Sequence, residues 1–187
     1  MEKVMVFVDG NNLNNAVYHL FDANPPRWDA KKLAEKLCGS TRDLVKIYYY
    51  TALADREDNP RAYDSHRKFI DALRFIPRLE VVVGYLAKKE IPGKEINPGD
   101  PSTYIHVEKE TDVNIATDLL TKAFFNSYDT AILVSADSDY ARTVECVKFF
   151  GKTVELAVTK NQKAAKMKQL ADVVIEMDQN FVLACKQ

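Results

Sequence analysis

Short apolar runs alternate along this chain with longer segments in which apolar residues recur every three or four positions. The first run, at 3–9, is apolar nearly throughout, which is typical of a strand buried on both faces of a sheet. Similar runs at 43–51, 79–86, 130–135, 153–158 and 173–176 predict further strands. Helical spacing and helix start signals predict helices at 11–21, 29–38, 60–75, 112–125, 139–150 and 162–170. The alternation predicts an α/β fold, a three-layer, mostly parallel sheet with helices on both faces.

One segment interrupts this alternation. The stretch 91–104 contains three prolines and two glycines, which favour turns over regular structure. It predicts either an irregular surface loop or a hairpin, and the pattern does not decide between them. The chain has 187 residues, a length that suits one domain with a sizeable core, so we expect a single domain over 1–187.

Composition narrows the function classes. Hydrophobic residues make up 47% and charged residues 28% of the chain, as in ordinary globular proteins. The formal net charge of −1 gives no strong overall attraction to nucleic acid, so a polyanion would need a local patch or metal ions. The three cysteines are far apart and show no zinc spacing, which predicts reduced thiols in a cytoplasmic protein. We expect no signal peptide and no membrane contact, because no apolar stretch is long enough to span a bilayer.

Four aspartates lie where predicted strands end or where a helix begins. Asp9 ends the first strand, Asp137 and Asp139 follow the strand at 130–135, and Asp112 opens the helix at 112–125. The carboxyl edge of an open α/β sheet is where ligands bind. Carboxylates gathered there would repel one another unless a hard cation such as Mg²⁺ or Mn²⁺ shared them.

Each aspartate also has a simpler interpretation. Asp9 and the Gly-Asn-Asn that follows it are residues that favour turns. Asp112 and Asp137 could cap helices, and Asp139 could complement a helix dipole. These local explanations are less convincing when the four aspartates are considered together, since all four positions should lie at one end of one sheet. The sequence therefore predicts a shared metal site.

Three motifs carry a family resemblance: FVDGNN at the first strand, ETDVNIATDLL at a middle helix and ILVSADSDY at a later strand. In this order, and with the closing LADVVIEMD, the chain resembles the NYN domain over nearly its whole length. NYN domains, which include the LabA-like proteins, belong to the PIN-like nuclease superfamily. The resemblance implies a PIN-like fold and a metal-dependent ribonuclease site.

The resemblance carries over residue by residue. Asp9 matches the first-strand acid, Asp112 the helix-start acid, and Asp137 and Asp139 the paired acids, all four being predicted catalytic and metal-binding residues. Asn12 and Ser135 match polar positions of the motifs, while Ala136 stands where the family commonly has glycine. Asp118 also recurs in the family. It lies six residues after Asp112, roughly 240° around the helix, so we expect it to be structural or to support the metal ligands from behind.

Phosphodiester hydrolysis needs an attacking water, neutralised phosphate oxygens and a stabilised leaving oxygen, and Mg²⁺ or Mn²⁺ can supply all three. We expect Asp9 and Asp137 to be the principal ligands, and Asp112 and Asp139 to be ligands or to hold waters. Asn12 and Ser135 would orient waters or phosphate oxygens. No histidine is needed as a base. By resemblance, the products would carry 5′-phosphate and 3′-hydroxyl ends.

The expected partner is RNA, in single-stranded form. Arg142, one helical turn beyond Asp139, is the candidate phosphate contact at the site. The lysines at 160–168 and at 88–94 could hold phosphates, or could simply form solvated faces. Tyr140 could stack on a base, although a core position suits it better. The histidines show no ligand spacing, and we expect scattered structural roles for them.

Other functions remain open on the sequence alone. A non-catalytic module could bind RNA or a protein through the same fold. A metal-dependent phosphatase could use Asp9 as nucleophile, but would want a second aspartate where this chain has Asn11. Glycine-rich nucleotide motifs and a GxSxG elbow are missing from the sequence. Self-association as a homodimer, and a protein partner that supplies specificity, are further expectations.

Overall fold

The computed structural model describes residues 1–53 and 55–187. Its strands are β1 (Lys3–Asp9), β2 (Asp43–Ala52), β3 (Leu79–Glu90), β4 (Tyr104–Lys109), β5 (Thr130–Val134), β6 (Thr153–Thr159) and β7 (Val173–Met177). Its helices are α1 (Gly10–Leu20), α2 (Ala30–Cys38), α3 (Pro60–Arg74), α4 (Thr111–Phe124), α5 (Ala141–Phe149), α6 (Ala165–Leu170) and α7 (Gln179–Leu183). Short 3₁₀ turns at Pro101–Thr103 and Ser138–Tyr140 precede β4 and α5.

The strands form one sheet in the order β4-β3-β2-β1-β5-β6-β7. All neighbouring strands run parallel except β4, which pairs antiparallel with β3. The predicted α/β fold with a mostly parallel sheet is confirmed. From β1 the chain first builds outward through β2 and β3, and later through β5, β6 and β7 on the other side. The strand order therefore reverses at β1, which creates a crevice at the carboxyl ends of β1 and β5.

Alternating residues of β1 face the two layers of helices, as the period of a strand requires. Val4, Val6 and Val8 pack in a core with residues of α1, α2, α3 and α7. Met5 and Phe7 pack in a second core with residues of α4, α5 and α6. Since both faces of β1 are buried, its nearly continuous apolar run is explained.

The local helix signals explain several boundaries. The Asp29 side chain accepts a hydrogen bond from the Lys32 amide at 2.9 Å and caps α2 as predicted. Asn59 caps α3 in the same way, with Pro60 at the first helical position.

Two elements were not predicted from the sequence. Strand β4 pairs with the far end of β3, which extends to Glu90, so the segment 91–104 is the connection of a hairpin. Helix α7, at the end of the chain, is only five residues long. Both are short and only partly buried, so neither carries a strong apolar period.

The predicted basic helix at 162–170 is too long. In the structure α6 begins at Ala165, because Gln162 belongs to a turn in which its Oε1 accepts a hydrogen bond from the Thr159 amide at 2.9 Å. Lys163 thus lies outside the helix. The predicted helix at 139–150 is confirmed from Ala141 onward, and its first residues form a 3₁₀ turn. Within residues 1–53 and 55–187, no helix has the length and apolarity needed to cross a membrane.

Candidate active site

The predicted aspartates gather around the crevice where the strand order reverses. Asp9 is the last residue of β1, and Val8 pairs with Val134 at the end of β5. The Ser135–Asp137 segment therefore begins beside Asp9. Ligands of open α/β sheets bind outside these carboxyl ends, so the fold brings the first and third motifs to one place.

Asp9 is only 5% exposed, accepts hydrogen bonds from two separate segments and contacts a third. Its Oδ1 caps α1 by accepting from the Asn12 amide at 3.1 Å. Its Oδ2 accepts from Ser135 Oγ at 3.0 Å and lies 3.4 Å from the hydroxyl of Tyr140. The turn interpretation of Asp9 is thus correct, and it coexists with a place in the carboxylate site. The two carboxylate oxygens together have room for about four partners, so these contacts do not exhaust them.

Gly10 lets α1 begin against β2. A Cβ at this position would lie 2.6 Å from the Tyr49 ring and 2.6 Å from the Tyr50 carbonyl oxygen. No larger residue fits there without moving the backbone of β2 or the Tyr49 ring. The glycine therefore fixes the direction in which the chain leaves Asp9.

Tyr140 joins two of the predicted acids. Its ring is buried, as a core residue's should be, and its hydroxyl donates to Asp112 Oδ1 at 2.7 Å while also contacting Asp9. Burial, the charge of Asp9 and the hydrogen bond to Asp112 hold the pKa of Tyr140 far above its usual range. The hydroxyl therefore stays protonated and keeps the exposed Asp112, on the first turn of α4, next to the buried Asp9.

Asp137 and Asp139 lie on the turn between β5 and α5. Asp137 is half-buried and its Oδ1 accepts from the Asp139 amide at 2.9 Å, so the capping interpretation is geometrically correct. The charge of Asp137 also helps to raise the pKa of Tyr140. The Asp139 side chain is exposed at the rim.

Asn12 and Ser135 support the site from within the protein. Asn12 Oδ1 accepts from the Ala136 amide at 3.1 Å and from Gln162 Nε2 at 2.7 Å. Ser135 Oγ donates to Asp9 and accepts from the Asp137 amide at 3.2 Å. Both residues hold the loop after β5 against α1. Their predicted role toward waters or phosphate oxygens stays a prediction.

Glu108 is an acid of the site that sequence reasoning missed. Its two oxygens accept hydrogen bonds from Asn11 Nδ2 and from the Thr111 hydroxyl. Its negative charge reaches Asp9 and raises the pKa of that carboxyl. Glu108 lies on β4 opposite Leu86 of β3, so only recognition of the hairpin could have located it.

Burial raises the pKa of Asp9 to about 6. Hydrogen bonds from the Asn12 amide and Ser135 partly offset burial, while the charges of Glu108 and Asp112 raise the pKa further. A cation placed among these carboxylates would favour their ionised forms and reverse that effect. The ion pairs formed by Lys and Arg among residues 1–53 and 55–187 leave Asp9, Asp112, Asp137, Asp139 and Glu108 without a basic partner within 4.0 Å.

The donor set consists of hard oxygen atoms, which suits Mg²⁺ or Mn²⁺. Within residues 1–53 and 55–187, however, no three of the predicted acids bring their donor atoms within 4.8 Å of one another. Within the described part of the chain, the group with all three donor atoms inside 4.8 Å of one another is Asp55, Asp58 and His106.

A cation already lies in that compact group. Lys88 Nζ is 3.0 Å from Asp58 Oδ1 and 3.5 Å from Asp55 Oδ2, and His106 Nε2 is 2.7 Å from Asp58 Oδ2. The Tyr104 hydroxyl also donates to Asp58 at 2.6 Å. We interpret this group as a clasp that ties the loop after β2 to the β3–β4 hairpin, because both of its carboxylates already contact protein partners.

Several of the predicted basic contacts, though not all of them, are engaged with acids. The side chain of Arg142 is 82% exposed and its Nη1 pairs with Glu145 at 2.9 Å, so a phosphate would have to compete for it. Lys168 pairs with Glu176, and Lys160 with Asp178. Since these lysines serve the surface of the fold, the solvated-face interpretation suits them better than phosphate binding.

Asp118 has the structural role that was expected. It accepts hydrogen bonds from the Tyr50 hydroxyl at 2.8 Å and from the Lys122 ammonium, which lies one helical turn away. The charge of Asp118 is therefore balanced away from the carboxylates around Asp9.

Sequence and structure comparisons identify the family and the fold. The profile of the NYN domain matches residues 3–178. The chain belongs to the NYN domain family. This NYN protein is 23% identical over 177 residues to the "Low amplitude and bright protein LabA" of Synechococcus elongatus, covering 94% of this chain and 84% of that protein.

The fold is similar to a crystal structure of a protein of unknown function from Vibrio parahaemolyticus. The TM-score is 0.65 and the identity 22%, with 97% of this chain and 96% of that chain covered. This likeness shows a shared fold. The predicted membership in the LabA-like NYN group of the PIN-like nuclease superfamily is confirmed.

Proposed function

We propose that this NYN protein is a divalent-metal-dependent ribonuclease that hydrolyses phosphodiesters of single-stranded RNA at the carboxylates around Asp9. The observation that carries the proposal is a surplus of negative charge. A buried aspartate and its acidic neighbours Asp112, Asp137 and Glu108 lie at the ligand-binding edge of the sheet without a Lys or Arg partner within the described residues. A site with this charge attracts cations and repels RNA until cations are bound.

Each acid has a role in this proposal. Asp9 and Asp137 are the principal ligands, and Asp112 and Asp139 bind the ion or hold its waters. A bound Mg²⁺ or Mn²⁺ ion would supply an activated water and neutralise the phosphate oxygens. The products would carry 5′-phosphate and 3′-hydroxyl ends.

The surrounding hydrogen bonds favour this use of the carboxylates. Ser135 and the Asn12 amide hold both oxygens of Asp9, and the Tyr140 hydroxyl holds Asp112. These contacts fix the carboxylates before a substrate arrives, so little reorganisation is required on binding. Arg142 would bind a phosphate after releasing Glu145.

The test is cleavage of labelled single-stranded RNA with Mg²⁺ or Mn²⁺. Wild type should cleave, and Asp9→Asn and Asp137→Asn should each lose activity by about 100-fold or more, because a lost ligand removes several kcal/mol of transition-state stabilisation. Asp71→Asn, which changes an exposed aspartate of α3, is the matched control and should cleave like wild type. Circular dichroism checks that every variant is folded.

Three other results are informative. Wild type that cleaves none of several RNAs with either metal would support the non-catalytic binding module. Cleavage of small phosphomonoesters but not RNA would support a phosphatase. Equal activity in wild type and both site variants would reveal a contaminating nuclease and contradict the assignment.

We further propose that 1–187 acts as one domain in the cytoplasm. Cys38, Cys146 and Cys185 are free thiols, which suits a reducing compartment. A protein partner that selects the RNA is part of this proposal. Tight, sequence-selective RNA binding by the pure protein would contradict that part.

A further inference from the structure

A cavity of about 590 Å³ lies between α1 and α3, on the face of the sheet opposite α4. Its aromatic walls are Tyr18 of α1, Phe69 of α3 and Trp28 of the connection between α1 and α2. Its polar groups come from Arg27, Asn14, Ser65 and Gln187. The volume falls within the range of ordinary ligand sites, roughly 300–1,000 Å³.

The aromatic walls are held in place by the core. The Trp28 ring lies 6.3 Å from the ring of Tyr49, which is fully buried in β2. Phe69 meets the same Tyr49 ring edge-on at 5.9 Å. The backbone of Trp28 also forms an antiparallel bridge with Lys186. These contacts form the walls before any ligand binds, which reduces the entropy cost of binding.

The polar groups give the cavity a preference for anionic, hydrogen-bonding ligands. Arg27 is exposed, and in the described part of the chain no carboxylate lies within ion-pair distance of it. Asn14 Nδ2 contacts the Tyr49 hydroxyl at 3.2 Å, which fixes the orientation of its amide at the cavity wall.

The cavity adjoins the carboxylate site. Asn14 lies three residues after Asn11 on α1, so the two side chains are neighbours about 5 Å apart on one helix face. The Asn11 amide donates to Glu108 and accepts from the Thr51 hydroxyl at 3.2 Å. Thr51 in turn lies 3.2 Å from Nε2 of His66, the residue after Ser65 of the cavity. A continuous row of polar side chains thus connects the two places.

We propose that this cavity binds a nucleobase of the single-stranded RNA whose phosphate lies at the carboxylates around Asp9. Bases stack on aromatic rings with little regard to sequence, and an arginine beside them binds the adjoining phosphate. The claim that the bound base adjoins the cleaved phosphodiester rests on the proposed function. Base binding itself does not depend on cleavage.

Trp28 is the single tryptophan of the chain, so its fluorescence reports directly on the cavity. Short single-stranded RNA is titrated into Asp9→Asn with Mg²⁺ present, because this variant is expected to lose cleavage, and into wild type with EDTA, which prevents cleavage. Saturable quenching is expected with Asp9→Asn, and weaker binding with metal-free wild type, whose carboxylates repel the phosphates. An abasic strand of the same length and charge should bind at least tenfold more weakly.

A substitution at the edge of the cavity distinguishes base stacking on its aromatic rings from general electrostatic attraction of RNA. Tyr18 is 46% exposed, so Tyr18→Ala leaves the core and Trp28 in place and should weaken RNA binding about tenfold. Arg27→Gln should weaken it by several fold. Phe149→Ala is the control, since it removes a more exposed ring from α5 on the other face of the sheet and should leave RNA binding unchanged.

The outcomes also distinguish this proposal from the ribonuclease proposal. Saturable, base-dependent quenching without detectable cleavage would support the RNA-binding cavity and contradict only the proposed ribonuclease activity. Equal quenching by the abasic strand, no quenching at all, or unchanged affinity in folded Tyr18→Ala would overturn the cavity proposal. Stronger quenching by a free mononucleotide than by RNA would assign the cavity to a small molecule instead.

Discussion

Asp9 combines two roles that place opposite demands on its carboxyl group. As the cap of α1 and the acceptor for Ser135, it is held firmly and stabilised as an anion. Burial and the nearby charges of Glu108 and Asp112 oppose ionisation, and the net result is a pKa raised to about 6. A buried carboxylate of this kind lowers the stability of the metal-free protein at neutral pH, as is common at functional sites.

Asp9→Asn should stabilise the metal-free protein at pH 7.5 by about 1–2 kcal/mol. Because the folded pKa, about 6, lies above the ordinary 3.8, ionisation of Asp9 costs the folded state no stability below pH 3.8, and its destabilising contribution grows between pH 3.8 and 6 and is complete above pH 6. The pKa shift alone corresponds to about 3 kcal/mol of destabilisation at high pH. The asparagine amide loses part of this gain because it bonds less well to Ser135 and Tyr140 than the carboxylate does.

Urea unfolding of both proteins in EDTA, at pH 4 and pH 7.5, measures this difference. The gain should be present at the higher pH and lost at the lower one, and Asp71→Asn, on the exposed surface of α3, should show no such gain. An Asp9→Asn gain of the same size at both pH values would contradict the explanation. Added Mg²⁺ should stabilise wild type more than the variant.

At the scale of elements, the turn from β4 into α4 shapes the site. Glu110 adopts a left-handed conformation, with φ 72°, and so reverses the chain between Glu108 and Asp112. Gly84 of β3 allows this turn to pack closely, since a Cβ there would lie 2.5 Å from the Lys109 carbonyl oxygen. The strained backbone of Glu110 thus lies between Glu108 of β4 and Asp112 of α4 and brings these two acids to the same site.

Glu110→Gly should raise the free energy of unfolding by about 0.5–1 kcal/mol. The left-handed conformation costs a residue with a Cβ about 1–2 kcal/mol, and the larger backbone entropy of unfolded glycine offsets part of the gain. Urea denaturation of wild type and variant measures this difference in the free energy of unfolding. Glu110→Ala keeps the Cβ and serves as the control, so an equal gain in both variants would attribute the effect to the lost carboxylate instead.

At the scale of the whole molecule, an aromatic surface lies at the C-terminal ends of α4 and α5, away from Asp112 at the start of α4. We call Phe124, Phe125, Phe149 and Phe150 the phenylalanine surface. All four side chains are exposed and contact one another through ring pairs at 5.4–6.2 Å. The groove beside them is lined by Leu120, Thr121 and Cys146. Exposed apolar surface of this extent is typical of an interaction site.

We predict that the phenylalanine surface pairs with the same surface of a second copy. The four rings expose about 500 Å² per protomer, and the groove adds to this, against the roughly 800 Å² per partner of a standard interface. An uncharged, self-complementary patch suits an isologous dimer, and both carboxylate sites would remain open.

Sedimentation velocity of wild type should show a dimer at micromolar concentration. Phe124→Ser with Phe149→Ser should shift it to monomer without loss of folding, while Tyr85→Ser, on the exposed side of β3, should not. Wild type that remains monomeric at about 100 μM would contradict the prediction.

The sequence by itself determined the sheet, most of its strands and helices, the family and the positions of four acids. Apolar periodicity and helix caps are local, so strand β1 and the cap at Asp29 were readable from a few neighbouring residues. The carboxyl ends of parallel strands share one edge of the sheet, and this rule alone predicts that Asp9 and Asp137 lie at the same edge.

Only the tertiary structure decided which groups meet those acids. Strand β4 is half exposed and exists through its pairing with β3, so its pattern was not visible and Glu108 was missed. The contact of Tyr140 with both Asp9 and Asp112 joins residues up to 131 positions apart. The aromatic cavity likewise combines α1, α3 and the loop before α2. Such contacts depend on how elements pack in three dimensions, and a periodicity that describes near neighbours along the chain carries no information about them.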